Sequence, residues 1–420
     1  MKSHKIYNLK NGLTLIICDY PNFNSVYFDL LIKVGSRYEN KNNNGISHLV
    51  EHLIFDKVLK NTKKHFWIKD YFNEDFKAYT SRERTNYEFS LHKKDLDLGV
   101  KLLSRIIKTH LVEIKKIKTE KNVVLNEILK DKDDLNLTYY KKKIKTIFTK
   151  SSLAFDILGT KKSLDNIKQK DIKIFTKKYY SPENCILTVA GNVNHKKIIK
   201  LLNEKIKCNN SKINFQENIN KQKQNKDKLF FIKEKTNQNY FGYHSQIFNL
   251  DAKEIVKYEF FVEILNLYLS DLIRKKINCY LIDASLITYS DFFLFSIEAS
   301  FDYKNTLNFY KEFQNILAEF KNQLSLKDFN YLKQKKIINL DLNKDYPREN
   351  ANLLAWSVFV FGAENNVSIN KQKEIIKGVS LNDIYKYFDE SFKNKKGTVI
   401  FGGKNFNKEK LKKIWNNWKI

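Results

Sequence analysis

At 420 residues the chain is too long for one ordinary hydrophobic core, and its 42% hydrophobic and 14% aromatic content is ample for globular folding, so two to four domains are expected. A formal net charge of +29 ordinarily points to a polyanionic partner, but Lys is spread along nearly every segment beside Asn, Ile, Phe and Tyr, and no RNA-binding, zinc-finger or Gly-rich phosphate-loop signature is present; specific nucleic-acid binding is not expected. The cysteines, Cys18, Cys185, Cys208 and Cys279, form no Cys-x-x-Cys pair, the first residues lack the apolar stretch of a signal peptide, and no window offers about 18 apolar residues, so a cytoplasmic protein without a disulfide framework or a membrane span is expected.

Short strands open the chain, at 13–18 after the Asn11-Gly12 turn and at 25–34, where apolar residues alternate. A helix follows: Ile46, Leu49, Val50, Leu53 and Ile54 recur at spacings of three and four, with Gly45 ahead of them after a run of Asn. It carries His48-Leu-Val-Glu51-His52. Residues four apart on a helix project from one face, so His48 and His52 can close on one metal ion, with Glu51 beside them to take a proton from the water that the metal activates. The order His-x-x-Glu-His reverses the commoner zinc-hydrolase motif and is the inverzincin pattern. Two partly buried histidines on a core helix are the alternative from these five residues alone, but chance would produce the pattern only about once in a hundred such chains.

Paired strands are expected again over 78–91, where Tyr79, Thr85, Tyr87 and Phe89 favour β structure. Amphipathic helices follow over 95–107 and 118–129, the second with Glu120 and Glu127 seven apart and so on one face. Residues 141–178 read as mostly helical and basic, and 185–190 as a buried strand ending at Gly191. The segment 208–228, rich in Asn, Gln and Lys, reads as a linker near the midpoint. Beyond it a repeat is expected: Cys185-Ile-Leu-Thr-Val-Ala-Gly191 is similar to Gly397-Thr-Val-Ile-Phe-Gly-Gly403, and each is followed by a short basic helix. This predicts an N-terminal metal-binding domain at 1–208, a polar linker at 209–228 and a homologous C-terminal domain at 229–420. The second half has one histidine, His244, and so cannot repeat the metal site.

Taken together, these motifs resemble the M16 family of zinc metallopeptidases, the group of pitrilysin, insulin-degrading enzyme and mitochondrial processing peptidase. The resemblance runs through Asn11-Gly12-Leu13, Gly35-Ser36-Arg37 with Glu39, Gly45-Ile-Ser-His48-Leu-Val-Glu51-His52, the segment from Ala78 to Tyr87, Glu120 to Ile128, and Tyr180-Ser-Pro182-Glu-Asn184. Their order and spacing make the set specific, although only the pentad is specific alone.

What the resemblance implies is an α+β protein of two tandem homologous domains, a half-clamshell of the M16 type, each domain a mainly antiparallel sheet packed with helices. It makes His48, His52 and Glu127 the ligands of one Zn2+ per chain, Glu51 the general base, and Glu120 a carboxylate that orients a ligand from behind. Ala78, Tyr79 and Thr80 become the edge strand to which a peptide substrate adds, although the family has Asn where this chain has Lys77. In the second half the family uses an Arg and a Tyr seven apart to hold substrate; Tyr280 fits, whereas Arg274 is one residue too close, so either a shortened turn lets it reach or that contact is lost. A zinc endopeptidase acting on unfolded or short peptides in an enclosed chamber is the expected activity. A homodimer, or a heterodimer with a related subunit, would complete the chamber. The alternative is a non-catalytic scaffold subunit of such a heterodimer, against which the intact pentad and Glu127 argue.

Overall fold

The structure is a computed structural model that describes residues 4–60, 75–108, 114–149, 151–207, 228–234, 236, 238–277, 279–392, 397–404 and 406–416, with backbone alone at 56–60 and 271–277. Most of the predicted linker at 209–228 lies outside the described residues.

Alternating and continuous apolar runs in the first half build strands β1 (His4–Asn8), β2 (Thr14–Asp19), β3 (Ser25–Ile32), β4 (Lys77–Thr80), β5 (Thr85–His92) and β6 (Cys185–Gly191). They form one sheet in the order β1-β2-β6-β3-β5-β4. Only β2 and β6 run parallel. Every residue of β6 is buried, as a strand covered on both faces requires. Among the described residues β4 pairs with β5 alone, Ala78 opposite Tyr87 and Thr80 opposite Thr85, and so forms the edge of the described sheet.

The helices of this half are α1 (Ile46–Lys60), α2 (Leu96–Ile107), α3 (Ile114–Asp133), α4 (Leu135–Ile147), α5 (Lys161–Asn166), α6 (Gln169–Tyr179) and α7 (His195–Lys205). One sheet face, with Leu15, Ile17, Phe28, Leu30, Leu187 and Val189, is covered by apolar side chains of α1, α2, α6 and α7. Each of these sheet residues is fully buried, a gain of about 1.5–3 kcal/mol apiece over leaving it in water.

The later part of the chain adds α8 (Ala252–Ile277), α9 (Thr306–Gln323), α10 (Leu326–Asn343), α11 (Pro347–Phe361), α12 (Ile369–Lys377), α13 (Leu381–Phe392) and α14 (Lys408–Asn416). Its strands are β7 (Lys228–Lys233), β8 (Gln238–Ile247), β9 (Leu281–Thr288), β10 (Phe293–Asp302) and β11 (Gly397–Gly403), ordered β7-β11-β8-β10-β9. Here too one pair, β7 with β11, is parallel and the others antiparallel. Strand for strand this repeats β2-β6-β3-β5-β4, so Gly191 and Gly403 close equivalent strands.

The described residues fall into two compact units, those within 1–134, 150–220 and 343–366, and those within 135–149, 221–342 and 367–420. Each unit thus contains one helix from the other half of the sequence. In the first, α11 lays Ala351, Leu354, Ala355 and Val358 on Ile16, Cys18, Tyr27, Leu31, Ile186 and Ala190, the sheet face opposite α1. In the second, Tyr139 of α4 stacks on Tyr240 of β8 with centroids 4.4 Å apart. Gly402 makes room for it, since a Cβ there would lie 2.2 Å from the Tyr139 ring.

Candidate metal centre

The helix that carries the pentad is fixed at its start. Gly45 adopts φ +94°, and a Cβ on it would stand 2.7 Å from the Leu158 carbonyl oxygen, so this turn requires glycine. The first turn of α1 presents unpaired N–H groups. The buried Glu39 carboxylate accepts from the backbone N–H of Gly45 at 2.7 Å, that of Ser47 at 2.8 Å and the Asn44 amide at 2.8 Å. Leu49, Val50, Leu53 and Ile54 then turn into the core. His48 and His52 are partly exposed, with ring centroids 4.6 Å apart.

α3 packs beside α1 through Ile117 and Val124, and its same face carries Glu120 and Glu127. Glu127 reaches both imidazoles: its Oε2 lies 3.8 Å from His48 Nε2 and its Oε1 3.6 Å from His52 Nε2. One ligand atom from each of His48, His52 and Glu127 can be chosen so that all lie within 4.8 Å of one another. Ligands about 2.1 Å from a tetrahedral zinc stand about 3.4 Å apart, and each imidazole is within a few tenths of an ångström of that spacing from one of the two carboxylate oxygens. The donors, two imidazoles and a carboxylate, are those of catalytic zinc sites that leave one position open. Residues and spacing therefore fit this metal.

Glu120 stands behind the site, its Oε2 3.3 Å from His52 Nδ1, which leaves Nε2 of that ring for the metal. His48 has no such support: its buried Nδ1 has no hydrogen-bond partner among the described residues. Burial, with the neighbouring His52 adding to it, pushes the His48 pKa down to about 3, so the ring is neutral at ordinary pH, the form that ligates.

Glu51 is buried on the same helix and accepts a 2.8 Å hydrogen bond from the Thr80 hydroxyl. Burial raises its pKa and the Glu127 carboxylate adds to this, while Thr80 and His52 oppose it. The result is a carboxylate whose hold on a proton is stronger than usual, a property that suits a group for proton transfer. Behind it lie Tyr87 and Tyr180, buried phenols with oxygens 3.2 Å apart that desolvation keeps neutral.

On β4, Ala78 packs toward the core on the α1 side, and Thr80 points to Glu51 on that side. Tyr79, on the other side, is 38% exposed. Tyr280 precedes β9 in the second unit, 57% exposed as a residue and with its backbone N–H on the Ser300 carbonyl at 2.9 Å. Arg274 lies on α8, and its side chain is outside the described residues. Reading the sequence alone gave the Thr80 hydroxyl and the Glu39 carboxylate no contact of their own. A Thr on an edge strand and a Glu nine residues ahead of a histidine carry no local signal for either.

Comparison with known proteins identifies the family and the fold. The family model described as Insulinase (Peptidase family M16) matches residues 16–161, and that described as Peptidase M16 inactive domain matches residues 166–336. Between them they take in most of the chain, which belongs to the M16 peptidase family and contains two tandem M16 domains. An uncharacterized zinc protease from Rickettsia bellii is 33% identical over 200 residues, 47% of this chain and 48% of that protein. The mitochondrial-processing peptidase subunit beta of Blastocladiella emersonii is 29% identical over 198 residues, 47% of this chain and 43% of the subunit. These matches span about half the length of each relative. Among solved structures, a protease from Helicobacter pylori superposes with a TM-score of 0.84 at 21% identity, covering 96% of this chain and 100% of its own. The first half of the periplasmic protease PqqL from Escherichia coli gives 0.80 at 16% identity, covering 99% and 96%. No helix among the described residues is long and apolar enough to cross a membrane.

Proposed function

We propose that the chain is a zinc-dependent endopeptidase that hydrolyses unfolded or short peptides. The observation that carries this reading is the approach of one Glu127 carboxylate to both imidazoles, at 3.8 and 3.6 Å, with the buried Glu51 on the same helix. His48, His52 and Glu127 would hold one Zn2+ per chain, which supplies a Lewis acid that acidifies water and polarises a peptide carbonyl. Glu51 accepts the proton of the attacking water and passes it to the leaving amine, its carboxylate oriented by the Thr80 hydroxyl. Glu120 holds the His52 ring by its far nitrogen. The free edge of β4 offers backbone N–H and C=O groups along Ala78, Tyr79 and Thr80, so a peptide can add as a further strand whatever its sequence. Tyr280 and Arg274 are proposed as substrate contacts. A homodimer, or a heterodimer with a related subunit, is the proposed assembly, and the cytoplasm the proposed compartment.

The test is Glu51→Gln, which keeps the shape and removes the base. Hydrolysis of a peptide library should fall by about 100-fold or more with bound zinc unchanged. Undiminished hydrolysis would sink the mechanism.

A further inference from the structure

The short loop between β3 and α1 touches both parts of the proposed machinery. On one side, Glu39 takes the N–H groups of Gly45 and Ser47 and so grips the start of the helix that carries His48, Glu51 and His52. On the other, the loop grips the turn that joins β4 to β5. Arg37 N–H donates to the Arg82 carbonyl at 2.8 Å, Ser36 N–H to that of Ser81 at 3.3 Å, and the Arg37 guanidinium to Glu83 at 2.6 Å. Gly35 lies so close that a Cβ on it would stand 2.2 Å from the Ser81 carbonyl oxygen. Ser81 directly follows Thr80, whose hydroxyl is 2.8 Å from Glu51.

We propose that Arg37 and Glu39 are positioning residues: the loop they rigidify sets the distance between the helix that bears Glu51 and the edge strand that takes substrate. Local stability alone explains neither residue well. A helix start is ordinarily capped by Ser, Thr, Asp or Asn at the N-cap itself, not by a carboxylate several residues upstream. Arg37 and Glu83 have side chains 0% and 4% exposed, and a buried pair of this kind commonly stabilises no better than apolar residues of the same volume. What such a pair does supply is one fixed geometry, and here it joins α1 to β4 by a route other than the sheet. The zinc and peptide arms below rest on the peptidase reading above.

Two variants separate the two grips. Glu39→Gln loses the charge that holds two backbone N–H groups and one amide, and should weaken zinc affinity about tenfold and lower kcat about tenfold, with KM within about twofold. The double variant Arg37→Met with Glu83→Leu replaces the pair by apolar volume, should unfold no earlier than the parent, and should raise KM about tenfold with zinc affinity unchanged. Zinc affinity is read with zinc alone against a chromophoric chelator, and KM and kcat with a quenched peptide. If Glu39→Gln does not fold, Glu39→Asp, which withdraws the carboxylate by about one bond length, is held to the same figures. The proposal stands only if both arms move; either arm within about twofold of the parent overturns it, whatever happens to the melting temperature. If instead Glu51→Gln hydrolyses peptides at full rate, the peptidase reading has failed, and the zinc affinity of Glu39→Gln still reports on the grip on α1.

Discussion

Of the opposing influences on Glu51, the two largest are burial, which raises its pKa, and the Thr80 hydroxyl, which lowers it. Removing the hydroxyl with Thr80→Val therefore raises that pKa further. If Glu51 is the base proposed above it works only when deprotonated, so the acidic limb of kcat/KM against pH should move to higher pH, which a pH series on peptide hydrolysis checks. Glu120 acts at one remove, through His52 Nδ1. Glu120→Ala should weaken zinc binding by about 10–100-fold, as removal of a ligand's hydrogen-bond partner typically does, and chelator competition measures it. No chemistry at the metal needs to be assumed for that measurement.

At the scale of elements, the cover on the first sheet is the feature to test. α11 buries Leu354 fully against Ile16 and Ile186, so Leu354→Ala should cost about 2–5 kcal/mol in urea unfolding. On the same sheet face Asp29 is buried; Asn86 donates to it at 2.8 Å, and Glu88, its partner across the strand pair, receives Arg348 from α11. Desolvation, with Glu88 adding to it, lifts the Asp29 pKa to about 7, although Asn86 and the arginines oppose the rise. The folded state therefore holds this proton where the unfolded chain has lost it. Its contribution to stability is full below about pH 4 and is lost as pH rises toward 7. Asp29→Asn keeps the acceptor for Asn86 and cannot ionise, so its melting temperature should gain on the parent between pH 5 and pH 8.

For the whole molecule, a metal that binds the folded chain must stabilise it by mass action. Zinc at about 100 times its dissociation constant should add about 2.7 kcal/mol, seen as a rise in melting temperature that a chelator reverses. His48→Ala should abolish that rise, because it removes one of the three proposed ligands. The formal charge of +29 acts at this scale too, by repelling cationic peptides through a field that salt screens.

Much of this was legible in the sequence because it is local. Helical periodicity alone places His48, Glu51 and His52 together, and it likewise puts Glu120 and Glu127 on one face of α3. The equivalence of β6 and β11 was visible as a repeated apolar run ending in glycine. That α3 lies against α1 was implied only by family resemblance, since 127 − 52 = 75 residues separate Glu127 from His52 and no spacing rule spans that distance. Tertiary structure alone decided the rest. It put α11 on the first sheet and α4 on the second, gave the Glu39 carboxylate the helix start to hold, and set Arg37 on Glu83 beside the edge strand. The reason is physical: a backbone period dictates which neighbours along the chain share a face, but which two surfaces bury each other depends on shape and apolar area summed over the fold, and one sequence read in order does not carry that sum.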